Sequence, residues 1–160
     1  MEELTVRSLL PQDRNRIQQI IEGVGVFTPE ERKVALELID EAIHHAERDE
    51  YHVLCAVKNP DTVIGYVCFG SIPMTDRRFD LYWIAVDESC SKKGVGGKLL
   101  ARAEDLIESR EGRRIYVETS STPPYESARI FYERYGYRLI SVLNDYYRQG
   151  DHKMIFMKEL

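Results

Sequence analysis

The stretch Asp80-Leu-Tyr-Trp-Ile-Ala-Val-Asp87, followed by Glu88-Ser-Cys90 and Ser91-Lys-Lys-Gly94-Val-Gly96-Gly97-Lys98-Leu-Leu100, decides how the chain is read. An extended apolar run passes through a short polar connection into a basic, glycine-dense turn. Beyond the turn, Leu99, Leu100, Ala103, Leu106 and Ile107 recur at helical spacing. The order is strand, loop, helix. Glycines at 94, 96 and 97 permit positive φ and let the backbone approach a ligand with no Cβ in the way. The N–H groups of the helix's first turn have no partner inside the helix, and the helix dipole favours an anion there. Lys92, Lys93 and Lys98 add positive charge, so a pyrophosphate or similar polyanion suits the loop.

Two nucleotide-binding patterns fail to match. A Walker loop needs a glycine five residues before Gly97 and a Ser or Thr after Lys98, where this chain has Lys92 and Leu99. A dinucleotide fingerprint needs a small residue in place of Leu99, with its glycines directly after the strand. The segment Ser91-Lys92-Lys93-Gly94-Val95-Gly96 resembles instead the acyl-CoA loop of the GNAT superfamily of N-acyltransferases, which reads Gln/Arg-x-x-Gly-x-Gly/Ala. Ser91 departs from the Gln or Arg of that pattern; Lys92 or Lys93 can supply the missing phosphate contact.

The 160 residues, 43% hydrophobic and 31% charged, fit one globular domain spanning 1–160. There is no apolar run of about 18 residues and no signal-like segment at the start, so a membrane partner is not expected and cytoplasm is the expected compartment. The net charge of −5 argues against nucleic acid as a partner and favours a cationic substrate such as an amine. Cys55, Cys68 and Cys90 lack metal or redox spacing, so neither a metal site nor a disulfide framework is expected; Cys90 reads as the more exposed of the three. The histidines at 44, 45, 52 and 152 show no ligand spacing.

In chain order, Leu4–Leu10 reads as a strand and Gln12–Glu22 as a surface helix. Thr28-Pro-Glu-Glu31 starts a second helix with an N-cap and a capping box. Tyr51–Val57 and Val63–Phe69 read as a hairpin, Phe79–Val86 as the next strand, roughly Gly96 to Arg110 as the central helix, and Arg114–Thr119 as the strand that follows. A helix between neighbouring strands implies that this last strand pair is parallel. Ser127–Tyr135 is a short helix closed by Gly136, and Tyr137–Leu143 and His152–Lys158 are strands flanking a polar loop, Asn144–Gly150.

That order is similar to the GNAT fold from end to end, which implies an α/β domain: a mixed, mostly antiparallel central sheet with one splayed parallel pair and flanking helices. Tyr125-Glu-Ser-Ala128-Arg-Ile-Phe-Tyr132 with Gly136-Tyr137 resembles the family's second motif, with Tyr125 in the place of its Asn. The resemblance implies acetyl-CoA as acyl donor, held at its phosphates by Ser91 to Lys98 and along its amide-bearing arm by the backbone of Ile84, Ala85 and Val86. It also implies that one N–H of that strand polarises the thioester carbonyl and that Tyr132 is the acid toward the departing thiolate. For the base, the residues leave Asp80 and Glu118 open, with Asp80 expected to share a strand face with Tyr82 and Ile84. Tyr82, Tyr125, Tyr146 and Tyr147 are candidates for an aromatic acceptor pocket. The implied activity is direct acetyl transfer to a primary amine, a small molecule first. A protein N-terminus or lysine, and a non-catalytic acyl-CoA-binding module, are the alternatives. Base rates allow a homodimer.

Overall fold

Leu99, Leu100, Ala103 and Ile107 form one stripe of the helix α3 (Val95–Ser109), and all four are fully buried against the sheet. The computed structural model describes residues 3–91 and 93–160; Lys92 lies outside the described residues. The strands are β1 (Leu4–Ser8), β2 (His52–Lys58), β3 (Thr62–Ser71), β4 (Arg78–Val86), β5 (Arg114–Ser120), β6 (Arg138–Arg148) and β7 (Asp151–Glu159). The remaining helices are α1 (Arg14–Gly23), α2 (Pro29–His44) and α4 (Glu126–Arg134). None of the described helices is long and apolar enough to cross a membrane.

The strands form one seven-stranded sheet in the order β1-β2-β3-β4-β5-β7-β6. Among the described residues only β4 and β5 run parallel, as the intervening helix implies; every other pair is antiparallel. This is the expected α/β architecture. β3 is buried from Val63 to Gly70, which explains why its sequence is a continuous apolar run without alternation. One core lies beneath α3 and α4, with Phe69, Leu81, Ile115, Val117 and Phe156 on the sheet side. A second lies beneath α1 and α2, around Ile17, Ile21, Ile39, Cys55 and Tyr66.

Two readings from sequence are corrected, and one holds only in relative terms. β6 runs through most of the expected polar loop, because it is exposed along its length and its composition follows solvent rather than a pleat. Cys90 is the most exposed of the three cysteines at 6%, as expected, but that is still buried, like Cys55 and Cys68. The capping box is only half made: Thr28 Oγ1 accepts from the Glu31 N–H at 3.1 Å, but the Glu31 carboxylate turns to Tyr125.

Candidate active site

The β3–β4 register steps from Cys68 opposite Trp83 to Phe69 opposite Leu81, which leaves Tyr82 as an extra residue, a β-bulge. The bulge inverts the alternation. Phe79 and Leu81 face the α3 core, and beyond the bulge Ile84 and Val86 do so. Tyr82, Trp83 and Ala85 face α1 and α2. Asp80 therefore shares a face with Tyr82 but not with Ile84, which corrects the expectation from simple period-two spacing.

Just past the bulge the sheet opens. β4 pairs with β5 only from Arg78 to Leu81, opposite Arg114 to Val117. From Tyr82 to Val86, backbone groups directed away from β3 have no strand partner among the described residues. This is an unpaired edge inside a sheet, bounded by Ile84, Ala85 and Val86, and it fits an extended ligand bearing amides.

Below that edge, Asp87 caps a short turn by accepting from Ser89 N–H at 2.9 Å and Ser89 Oγ at 2.6 Å. Those bonds, with the Arg16 guanidinium at 2.5 Å, hold its carboxyl at about 2. The chain then enters α3 through Gly94 at φ 79°, a left-handed conformation that glycine adopts without strain. Lys98 N–H donates to Gly94 O at 3.1 Å, so the N–H groups of Val95, Gly96 and Gly97 precede the first intrahelical bond and are directed out of the helix. Lys93 and Lys98 are exposed beside them. The Ser91 hydroxyl donates to Glu88 O at 3.0 Å, so it is engaged within its own turn. Gly96 and Gly97 have a second reason to lack side chains, one that spacing alone does not reveal. A Cβ on Gly97 would lie 2.1 Å from Tyr135 Oη, and one on Gly96 would lie 3.3 Å from the Phe131 ring. The bare backbone at these glycines makes room for the rings of Phe131 and Tyr135.

On the α1/α2 face, Asp80 is half-buried beside the gap. Burial first, and the nearby Glu118 carboxylate second, raise its carboxyl to about 6, with Lys153 partly offsetting the rise. Lys153 Nζ sits 2.9 Å from Glu118 Oε1 and 4.3 Å over the Tyr146 ring. Tyr82 packs edge-on against Tyr51 at 5.5 Å, and Tyr147 against Tyr146 at 5.2 Å. Tyr125 Oη donates to Glu31 at 2.6 Å and lies 3.2 Å from Val26 O, tying the loop after β5 to the start of α2. Asp80, Tyr82 and Glu118 are thus brought together with Lys153 and Tyr146, while Tyr125 forms a clasp at the crevice's border. A surface concavity lined by Leu38, His44 and Tyr51 lies elsewhere, beside α2, and none of its walls belongs to β4 or α3.

Tyr132 is 7% exposed and packs against Phe131 and Tyr137 on the α3/α4 side. Burial pushes its phenol above the ordinary value, so it carries its proton throughout the neutral range. Asp80 and Tyr132 stand on opposite faces of the sheet, and β4 and β5 cease to pair beyond Leu81 and Val117.

Sequence reasoning did not single out Lys153, Tyr51 or the role of Glu31. Lys153 lies on β7 opposite Ser120 and two residues from Ile155, the partner of Glu118, so only the strand pairing brings it there. Glu31 carried a signal, but one that a helix cap explained equally well.

A split α/β sheet with an anion-receptive helix start at its opening has the geometry to accept an extended, phosphate-bearing ligand between two strands. A sequence model of the acetyltransferase (GNAT) family matches residues 17–137, and the chain belongs to that family. A solved structure from Desulfovibrio desulfuricans, assigned to the acetyltransferases of the GNAT family, is 39% identical over 98% of this chain and 99% of that one, with a TM-score of 0.93. The ribosomal-protein-S18-alanine N-acetyltransferase of Escherichia coli shares the fold at 19% identity, covering 98% of this chain and 94% of that one, TM-score 0.77. PaiA N-acetyltransferase from Thermoplasma acidophilum, solved in complex with coenzyme A, does so at 16% identity over 99% of both chains, TM-score 0.76. Comparison with curated protein sequences finds no match.

Proposed function

We propose that this chain transfers an acetyl group from acetyl-CoA directly to a primary amine of a small molecule. The observation that carries the reading is Asp80: a carboxyl raised to about 6 at the mouth of the β4–β5 gap, in an acidic, tyrosine-lined crevice. A primary amine, with a pKa of about 10.4, arrives mostly as ammonium and must lose a proton before it attacks. Asp80 is ionised at neutral pH and basic enough to take that proton directly or through a water. Glu118, paired with Lys153, is held as a contact for the acceptor's charge rather than as the base.

The residues fit acetyl-CoA. The unpaired edge at Ile84, Ala85 and Val86 suits its amides, and the first-turn N–H groups of α3 with Lys93 and Lys98 suit its phosphates. When bound, it supplies a thioester-activated acetyl group. An N–H of the β4 edge then donates to the carbonyl oxygen as charge builds there, and Tyr132, still protonated, donates toward the sulfur. Tyr82 and Tyr146 line the crevice, and the Tyr125–Glu31 bond ties the loop after β5 to the start of α2 beside it, which supports a small amine as the acceptor.

Thermal unfolding with acetyl-CoA, CoA or ATP tests the first half of this reading. A rise of midpoint selective for the CoA compounds is expected, because a ligand that binds only the folded state stabilises it by mass action. No shift at saturating acetyl-CoA overturns it. An acceptor screen by thiol release tests the rest: small amines turning over faster than peptides is expected, and the reverse order gives the protein-acetylating alternative. Tyr132→Phe should lower turnover by about 10²-fold or more while leaving CoA affinity intact; a wild-type protein without turnover on any amine is a binding module.

A further inference from the structure

Arg16, near the start of α1, bridges two strands at the end of the sheet from which the phosphate-receptive loop departs. Its Nη2 donates to Asp87 Oδ2 at 2.5 Å, and its Nε donates to Val63 O, at the start of β3, at 2.9 Å. Asp87, the residue after β4, is thereby held from three directions. Its N–H donates to Ile64 O at 2.8 Å, its Oδ1 accepts from Ser89 N–H and Oγ, and its Oδ2 accepts from Arg16. Turn bonds then carry the chain toward Gly94: Cys90 N–H donates to Asp87 O at 2.8 Å and Ser91 N–H to Glu88 O at 3.3 Å. The Cys90 side chain is buried in the core beneath α3, whereas α1 packs on the opposite, crevice face. The turn is pinned on one face of the sheet by Cys90 and on the other by Arg16.

The side chains of Arg16 and Asp87 are 33% and 22% exposed, and an ion pair so open to water contributes little to stability. Its consequence lies in geometry and charge. The planar guanidinium fork fixes Asp87 against β3, so the turn leading to the first N–H groups of α3 is ordered before a ligand arrives. The same fork neutralises a carboxylate in the connection to a phosphate site, where an uncompensated negative charge opposes a polyanion. We infer that Arg16 is a positioning residue for the phosphates of acetyl-CoA, acting through Asp87 on the loop that receives them. The inference rests on the acetyl-CoA reading above. It also joins the donor's loop to α1, the helix over the crevice face, so the two sides of the site share one brace.

Calorimetric titration of the full chain with acetyl-CoA tests this, with the thermal unfolding midpoint followed alongside. Arg16→Met keeps the stem and removes the fork; it should bind acetyl-CoA about tenfold more weakly at a nearly unchanged midpoint. Arg16→Lys keeps the charge without the fork and should recover part of the loss, to within about threefold of wild type. Asp87→Asn keeps an acceptor for Ser89 but removes the charge, so adding Arg16→Met to it should cost less than about twofold further. Arg16→Lys and the Asp87→Asn pair are milder changes that carry the test independently of how well Arg16→Met folds. Wild-type affinity in Arg16→Met or a loss in Arg16→Lys as large as in Arg16→Met overturns the inference, as does an undiminished loss in the Asp87→Asn background. Each of these leaves the acetyl-CoA reading standing, because the wild type still binds; a wild type that does not bind acetyl-CoA overturns both.

Discussion

Asp80→Asn separates stability from catalysis at one position. In the folded protein the carboxyl ionises at about 6 rather than at its ordinary 3.8. The native state therefore binds more protons than the unfolded state between those values, and stability falls as pH rises through that window and levels above it. In a fully buried site the difference amounts to about 3 kcal/mol. Asp80 is only half-buried, and solvent screening reduces this to about 1 kcal/mol. Asn, the same shape without the charge, should raise stability at pH 8 by about 1 kcal/mol, or about 2–4 °C in midpoint for a chain of this size. Near pH 2.5 it should change almost nothing, since the carboxyl of the wild type is then protonated in both states. The same substitution removes the base: kcat/KM should fall by about 10²- to 10⁴-fold, and the acidic limb of the wild-type profile, centred at about 6, should vanish. Because Glu118 is the second cause of the rise, Glu118→Gln should move that limb to lower pH. Urea unfolding at the two pH values and thiol-release rates across pH check these outcomes. A destabilised Asp80→Asn at pH 8, or a limb at unchanged pH in Asp80→Asn at near wild-type rate, would refute the reasoning.

Gly97→Ala places a methyl 2.1 Å from Tyr135 Oη, so the Tyr135 ring must move off the start of α3. A loss of about 1–3 kcal/mol in urea unfolding is expected, with weaker acetyl-CoA binding alongside it. Tyr66 is fully buried, and among the described residues its hydroxyl has no hydrogen-bond partner. Tyr66→Phe removes that unpaired group at nearly constant shape and should stabilise by about 1 kcal/mol, seen as a higher unfolding midpoint.

How much of this was legible beforehand differs from element to element. The helix α3 and the strand before it could be read because their apolar residues follow 3.6- and near-continuous spacing, a local consequence of lying on a core. The left-handed Gly94, the N-cap Thr28 and the glycine after α4 were legible for the same reason: they answer to backbone sterics within a few residues. β6 was half-legible, since a strand exposed on both faces has no pattern that separates it from a polar loop. The face of Ile84 was misassigned because a single bulge residue, Tyr82, shifts every side chain after it, and a bulge is set by the partner strand.

The sequence by itself determined the order of elements, the parallel pairing implied by the β4–α3–β5 crossover, and the glycine-bearing helix start, because each depends on interactions between near neighbours in the chain. Only the tertiary structure decided the crevice. The contact of Lys153 with Glu118, the clasp of Tyr125 on Glu31 and the raised carboxyl of Asp80 each join segments distant in sequence. Charge and desolvation act through space, so no local pattern of residues could carry them.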